Sequence, residues 1–233
     1  MKLKIMSYNI HSGVGRDKIF SYKRIGQFLA SLKPDIVCLQ EMDLRNPDLN
    51  TSEQIEALKA GYFEHFVFNP AVIEKEGDYG NAILSKFKPE SVDDVDVSYS
   101  DNQPRNIQHI EFNKNGYQFI VLNTHLGLEL NERAQQFTQI IELINLSKFQ
   151  SSPLFLLGDF NEWLPTTKHL VKMNMKLNPI SLKPTFPNSF PIFKLDRIWY
   201  SGQAEIISAR VIKTKESKHY SDHYPILLEC SLS

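Results

Sequence analysis

Pro153-Leu154-Phe155-Leu156-Leu157-Gly158-Asp159-Phe160-Asn161 is an apolar run that ends in a carboxylate and a carboxamide. The run predicts a buried strand. Burying a charge costs several kcal/mol unless it is paired or metal-bound, so Asp159 at the end of such a strand implies that something there uses it. The same grammar recurs along the chain. Ile36-Val37-Cys38-Leu39 runs into Gln40-Glu41, and Phe119-Ile120-Val121-Leu122 runs into Asn123-Thr124-His125. Leu195-Asp196 and Ser221-Asp222-His223 set three more polar groups beside apolar strands. Hard oxygen donors and histidines gathered at strand ends describe a site for a divalent cation and a phosphate.

Composition bounds what this site can serve. The chain has 233 residues, 42% of them hydrophobic and 23% charged. That supports one sizeable core, read as one domain over residues 1–233. The formal net charge of −1 argues against a protein that tracks long nucleic acid through its phosphates. Cys38 and Cys230 lie in apolar runs and read as inert core residues. Met1-Lys2-Leu3-Lys4-Ile5-Met6 enters an alternating strand directly, without a signal-peptide stretch, and no segment has the apolar length to span a bilayer. A cytoplasmic monomer is the expectation.

Around the opening stretch, periodicity predicts a strand over Leu3–Asn9, a helix from a Ser21 cap to Lys33, and a strand over Ile36–Gln40. A second helix, capped by Thr51 or Ser52, runs to Ala60, with Gly61 as its stop. Strands follow at Tyr62–Asn69 and Asn81–Ser85, then a hairpin of Ile107–Phe112 and Tyr117–Thr124 about Asn113-Lys114-Asn115-Gly116. Asn131 is expected to cap a long helix through Lys148, and a short helix covers Thr166–Met173. Leu195–Tyr200, Ala204–Ile212 and Tyr224–Cys230 are the last strands. Lys86–Arg105 and Asn178–Lys194 are proline-punctuated and read as loops. The imperfect alternation of helices with hairpin-like strand pairs predicts an α+β sandwich of mixed, mainly antiparallel sheets rather than a doubly wound parallel sheet.

The polar set is Asn9, Glu41, Asn81, His125, Asp159, Asn161, Asp196, Asp222 and His223. Its oxygens suit Mg²⁺ or Mn²⁺ and match zinc poorly. The segments Ser7-Tyr8-Asn9-Ile10-His11, Leu39-Gln40-Glu41, Tyr79-Gly80-Asn81-Ala82-Ile83-Leu84-Ser85, Asn123-Thr124-His125-Leu126, Gly158-Asp159-Phe160-Asn161, Leu195-Asp196-Arg197-Ile198 and Ser221-Asp222-His223-Tyr224-Pro225 occur in this order along the chain. Together they resemble the endonuclease/exonuclease/phosphatase superfamily, whose fold is that of pancreatic deoxyribonuclease.

The resemblance implies a four-layer α/β/β/α sandwich with the site where strand ends and loops of both sheets converge. It implies Glu41 as the principal metal ligand, with Asn9 beside the metal and phosphate and Asp222 as a further metal-side carboxylate. Asp159 and Asn161 would orient water or hold phosphate, and His125 would donate to phosphate. His223 would be the imidazole of a pair with Asp196, an arrangement that also makes sense alone, because a carboxylate on one ring nitrogen fixes the tautomer and raises basicity. Either His223 or Asp159 could take the proton from water, and one or two metals fit the set. Asn81 is expected to partner His125 or phosphate, and Arg105 to grip phosphate oxygens through its guanidinium fork.

Simpler readings hold elsewhere. His11 reads as a supporting residue, and His65, His109, His169 and His219 as core-edge or surface residues. Trp163, Phe190, Phe193 and Trp199 read first as core, with a base-stacking or acyl-gripping platform as the alternative. Lys183 and Lys194 read as parts of a solvated loop. The expected activity is a metal-dependent phosphodiesterase acting on a small or lipid-linked phosphodiester; the alternatives are a nuclease acting on DNA or RNA, and a silent binder of a phosphorylated ligand or protein.

Overall fold

The computed structural model describes residues 1–46, 50–146, 149 and 152–232. In chain order its elements are β1 (Lys2–Asn9), α1 (Tyr22–Ser31), β2 (Ile36–Asp43), α2 (Thr51–Lys59), β3 (His65–Glu74), β4 (Gly77–Ser85), β5 (Ser91–Asp96), β6 (Asn106–Lys114) and β7 (Tyr117–His125). There follow α3 (Leu130–Ile144), β8 (Leu154–Asp159), α4 (Lys168–Lys176), β9 (Asn178–Pro179), β10 (Asp196–Ser201), β11 (Ala204–Val211), α5 (Lys215–Tyr220) and β12 (Ile226–Leu232). They form two six-stranded sheets, ordered β11-β12-β1-β2-β4-β3 and β5-β6-β7-β8-β10-β9.

Strand alternation divides the apolar residues into three layers. Leu3, Ile5, Ile36, Cys38 and Ile83 of one sheet meet Ile110, Phe119, Val121, Phe155, Leu157 and Ile198 of the other. The outer-facing residues Met6, Tyr8, Val37 and Leu39 pack under Tyr22, Ile25, Phe28 and Leu29 of α1 and Leu58 of α2. On the far side, Ile120, Leu122, Leu154, Leu156 and Trp199 pack under Phe137 and Ile140 of α3 and Leu170 and Met173 of α4. The result is the expected α/β/β/α sandwich.

Each sheet is antiparallel except at its centre, where β1 runs parallel to β2 and β7 to β8. Each parallel pair is joined through a helix, α1 or α3. The carboxyl ends of all four strands carry site residues, as do the amino ends of their antiparallel neighbours β4, β6 and β10 and the residues just before β12. The inter-sheet face is therefore graded along its length. Leu3-Ile5-Ser7-Asn9, Ile36-Cys38-Gln40, Phe119-Val121-Asn123-His125 and Phe155-Leu157-Asp159 each run from apolar to polar on one face.

Several expectations are corrected. Asn50, not Thr51 or Ser52, caps α2, because its side-chain oxygen accepts from the N–H groups of Ser52 and Glu53. Glu129, not Asn131, caps α3, with its N–H held by the Glu132 carboxylate. That helix ends at Ile144, and Lys148, its expected end, lies outside the described residues. Lys86–Arg105 is not all loop: Ser91–Asp96 pairs with β6 as an edge strand, its three aspartates hiding it from an apolar-pattern reading. Strand β3 starts at His65 rather than Tyr62 and extends past Pro70 to Glu74 through a bulge. Thr167 caps α4, which runs to Lys176, and α5 was not anticipated. No helix among the described residues is long and apolar enough to cross a membrane.

Candidate active site

Two local distortions aim the central carboxylates. By strict alternation Glu41 would face the helices with Val37 and Leu39. A bulge between Leu39 and Met42 in the β2–β4 pairing, with Glu41 itself at φ 58°, turns it into the inter-sheet face instead. On the other sheet Gly158 sits at φ 151°, and a Cβ there would lie 2.0 Å from the Thr124 carbonyl oxygen. Only glycine lets β8 approach β7 this closely just before it presents Asp159. Asn161 then turns back at φ 47°, a strained conformation of the kind functional sites retain.

Glu41, Tyr79, Arg105, His125, Asp159, Asn161, Asp222 and His223 line one cleft of about 280 Å³, rimmed by Gln103, Leu128, Trp163, Phe186 and Leu195. Asn9 bridges the sheets behind it. Its amide nitrogen donates to Glu41 Oε1 at 2.8 Å and to Asp159 Oδ2 at 3.0 Å, while its oxygen accepts from the His11 N–H at 3.0 Å. Presenting that oxygen to a cation would require exchanging these bonds. Asp222, more open than the others, has Oδ1 3.4 Å from His11 Nδ1. His223 Nδ1 lies 2.9 Å from Asp196 Oδ2, and its Nε2 lies 3.6 Å from Asp159 Oδ2. The expected Asp196–His223 pair is thus in place. Burial disfavours the His223 cation, but the Asp196 and Asp159 carboxylates outweigh this and raise its pKa to about 10.

His125 is the opposite case. Burial first, then the Arg105 charge, lowers its pKa to about 3, so the ring is neutral. Asn161 Nδ2 lies 2.9 Å from the Leu126 carbonyl oxygen and 3.1 Å from His125 Nε2. Flipping that amide would set two oxygens face to face, so Nε2 accepts and the ring proton sits on Nδ1, an assignment from the hydrogen-bond network. Nδ1–H then lies 3.4 Å from Arg105 Nη1, donor against donor. Arg105 is buried, and its Nε has no partner. Two donor groups on one wall thus lack an acceptor.

Asn81 does not partner His125. Its amide donates to Asn106 Oδ1 at 2.9 Å, beneath the cleft. Instead, Asn161 holds the imidazole at Nε2, and Arg105 faces its other nitrogen. Missed by sequence reasoning were Tyr79, beside Glu41 and Arg105, whose phenol burial pushes above its usual range, and a buried amide layer under the cleft. There Gln40 Nε2 donates to Asn123 Oδ1 at 2.7 Å, and Asn123 donates to the carbonyls of Leu39 and Ala82 and to Gln108. Parity was the available signal, since Asn123 shares a strand face with His125.

The donor set fits a hard divalent cation. Burial, reinforced by nearby Asp159, raises the Glu41 carboxyl pKa, and Asp196 Oδ1 is buried without a partner. This carboxylate cluster is under-compensated by the protein alone. Asp159, Asp196 and His223 also group closely enough to hold an ion. The Nδ1–Asp196 bond already accounts for two of those three residues, so the Glu41–Asp222 side is the better cradle.

A family model for the Endonuclease/Exonuclease/phosphatase family matches residues 6–223. Among curated proteins the chain is similar to YbhP of Escherichia coli (strain K12), itself uncharacterized, at 27% identity over 98% of this chain and 96% of the other. Among solved structures, a mannosyl-6-phosphatase of Bacteroides thetaiotaomicron superposes with a TM-score of 0.78 at 21% identity, over 99% of this chain and 100% of the other. The human Nocturnin catalytic domain with a bound sulfate gives 0.76 at 23%, over 100% and 95%.

Proposed function

The chain belongs to the endonuclease/exonuclease/phosphatase family, and from that premise we propose that it is a divalent-metal-dependent phosphoester hydrolase that cleaves phosphodiesters. The observation that carries this reading is the buried Arg105 Nε, which has no partner, beside His125 Nδ1, assigned from its network as a second donor, on a cleft whose other groups include the carboxylates Glu41, Asp159 and Asp222. Donors without an acceptor suit phosphoryl oxygens, and clustered carboxylates suit the cation that such chemistry uses.

Glu41 and Asp222 would hold Mg²⁺ or Mn²⁺, with Asn9 fixing the Glu41 carboxylate. When bound, the cation neutralises charge on the phosphoryl oxygens. Arg105 and His125 donate to the non-bridging oxygens, and Asn161 holds the His125 ring in the tautomer this needs. Asp159 orients the attacking water and accepts its proton. His223, protonated and held by Asp196, supports the departing charge. Asn81 acts through Asn106 rather than on phosphate directly. Pushing two histidines apart in pKa separates a neutral donor from a cationic one within a single cleft.

The test is metal-dependent hydrolysis of bis-p-nitrophenyl phosphate and of p-nitrophenyl phosphate, the monoester included because one structural neighbour is a phosphatase. Asp159→Asn and Glu41→Gln should each lower kcat by about 10²-fold or more. Wild-type rates in both variants would remove Asp159 and Glu41 from the chemistry, and no turnover of either ester by the wild type with metal present would leave a binder of phosphorylated ligands as the better reading.

A further inference from the structure

Fourteen large apolar residues are exposed among the described residues, and six of them gather here: Leu128, Trp163, Leu164, Phe190 and Ile192 from three loops that end at the cleft, and Leu130 from the first turn of α3. Single exposed apolar residues need no explanation, but a concentration around one opening does. The patch is continuous with the catalytic wall. Phe186 packs against the His223 ring at 4.7 Å, Trp163 packs edge-on to Phe186 and Phe193 at 5.6 and 4.9 Å, and Leu128 and Trp163 line the cleft itself. Phe190, 74% exposed, tops a turn closed by its own N–H on the Pro187 carbonyl. That loop is anchored, because the Asn188 side chain donates to the carbonyls of Ser217, Lys218 and Ser221 and its N–H donates to that of Asp222.

Charge points the same way. Residues 163–195 contain five lysines and neither aspartate nor glutamate, in a chain whose net charge is −1. Lys168, Lys183 and Lys194 are exposed in or beside the two loops carrying Trp163 and Phe190, against Glu129 on the Leu128 lip and Asp222 in the cleft. Aliphatic and aromatic side chains at a mouth, backed by lysines, form the composition of an interfacial surface that meets anionic lipid. A protein partner or a second copy covering this rim would close the cleft to substrate. A bilayer covers the rim and supplies a phosphoester to the cleft at once.

We propose that the rim formed by Leu128, Trp163, Leu164, Phe190 and Ile192 docks on a phospholipid bilayer, and that the cleft acts on a phosphoester carried by a lipid of that bilayer. The substrate half rests on the hydrolase reading above; the docking half does not. The chain has two tryptophans, and Trp199 is 2% exposed while Trp163 is 36% exposed, so vesicle-induced emission changes report on the rim.

The experiment adds vesicles of phosphatidylcholine, alone or equimolar with phosphatidylglycerol, to the full chain and records Trp emission and co-flotation. The expected result is a blue shift and flotation favoured by the anionic vesicles and weakened by salt, with the Phe190→Ser/Ile192→Ser variant binding at least about tenfold more weakly. The shift should disappear in Trp163→Phe. That double variant should hydrolyse bis-p-nitrophenyl phosphate at the wild-type rate and vesicle phospholipid at least about tenfold more slowly. No flotation, undiminished binding by the double variant, an emission change with single-stranded DNA in place of vesicles, or a dimer that hides Trp163 would each overturn docking. Vesicle binding with bis-p-nitrophenyl phosphate cleaved but no lipid cleaved overturns the substrate half. Vesicle binding with no phosphoester cleaved at all overturns the hydrolase reading and leaves docking standing.

Discussion

Arg105 is buried, its Nη1 faces a neutral His125, and its Nε has no acceptor. A buried guanidinium N–H without an acceptor is costly, and a bound phosphoryl oxygen removes the cost. Arg105→Ala should therefore reduce kcat/KM by about 10²-fold, and Arg105→Lys should restore only part of it, because a point charge does not reproduce the fork. Steady-state kinetics on bis-p-nitrophenyl phosphate check both; wild-type values would remove Arg105 from the site. The two histidines give a pH signature in the metal-free protein. His223 is raised to about 10 from an unfolded value near 6.5, so its stabilisation is complete below about pH 6.5 and is lost as pH rises towards 10. His125 is lowered to about 3, so stability falls as pH drops from 6.5 towards 3. Thermal melts should peak near neutrality, and His223→Asn should flatten the alkaline limb. Most of these residues were legible in the sequence because carboxylates, amides and histidines interrupt apolar runs. The His125 partners were not, since Arg105 and Asn161 reach it only through the tertiary fold, and Asn81 reads no differently whether it meets His125 or Asn106.

Strands place these groups through defects rather than regularity. The bulge at Leu39–Met42 rotates Glu41 out of the helix-facing row, and the glycine at 158 lets β8 close on β7. Gly158→Ala puts a methyl 2.0 Å from a backbone oxygen in a conformation L-residues rarely adopt. It should cost about 3 kcal/mol or prevent folding, lowering Tm by about 10 °C, with activity falling further than stability explains. An unchanged melt would show that β8 can give way. Apolar runs and caps such as Ser21 made most elements readable. The bulge was not, because a two-residue periodicity carries no mark of where it breaks. Strand β5 was hidden for a different reason: in Ser91-Val92-Asp93-Asp94-Val95-Asp96 the two valines fall on opposite faces of a largely exposed edge strand, so no apolar alternation marks it.

At the scale of the whole molecule, two sheets bring the carboxyl ends of their parallel pairs β1–β2 and β7–β8 to one edge, so the cleft exists only where the sheets face each other. The buried amides Gln40 and Asn123 tie the sheets just beneath it. The sandwich itself was legible from the order of elements and motifs; which loops would rim the cleft was not, because Leu128, Trp163 and Phe186 are distant in sequence. Carboxylates gathered from both sheets oppose folding when no cation is bound. Millimolar Mg²⁺ or Mn²⁺ should therefore raise Tm by mass action. Glu41→Gln should raise Tm in EDTA, because a buried carboxylate whose pKa is raised costs stability at neutral pH, and should abolish the metal-induced shift. A metal shift unchanged in that variant would move the cation elsewhere. The central claim is metal-dependent phosphoester hydrolysis in this cleft, and the most direct measurement is turnover of a panel of bis-p-nitrophenyl phosphate, phospholipid vesicles, inositol phosphates, RNA and DNA with Mg²⁺, Mn²⁺ or EDTA, alongside Asp159→Asn. Turnover that requires metal and disappears in the variant is the expected result; turnover indifferent to EDTA and to Asp159→Asn, or none on any substrate with metal bound, would contradict it.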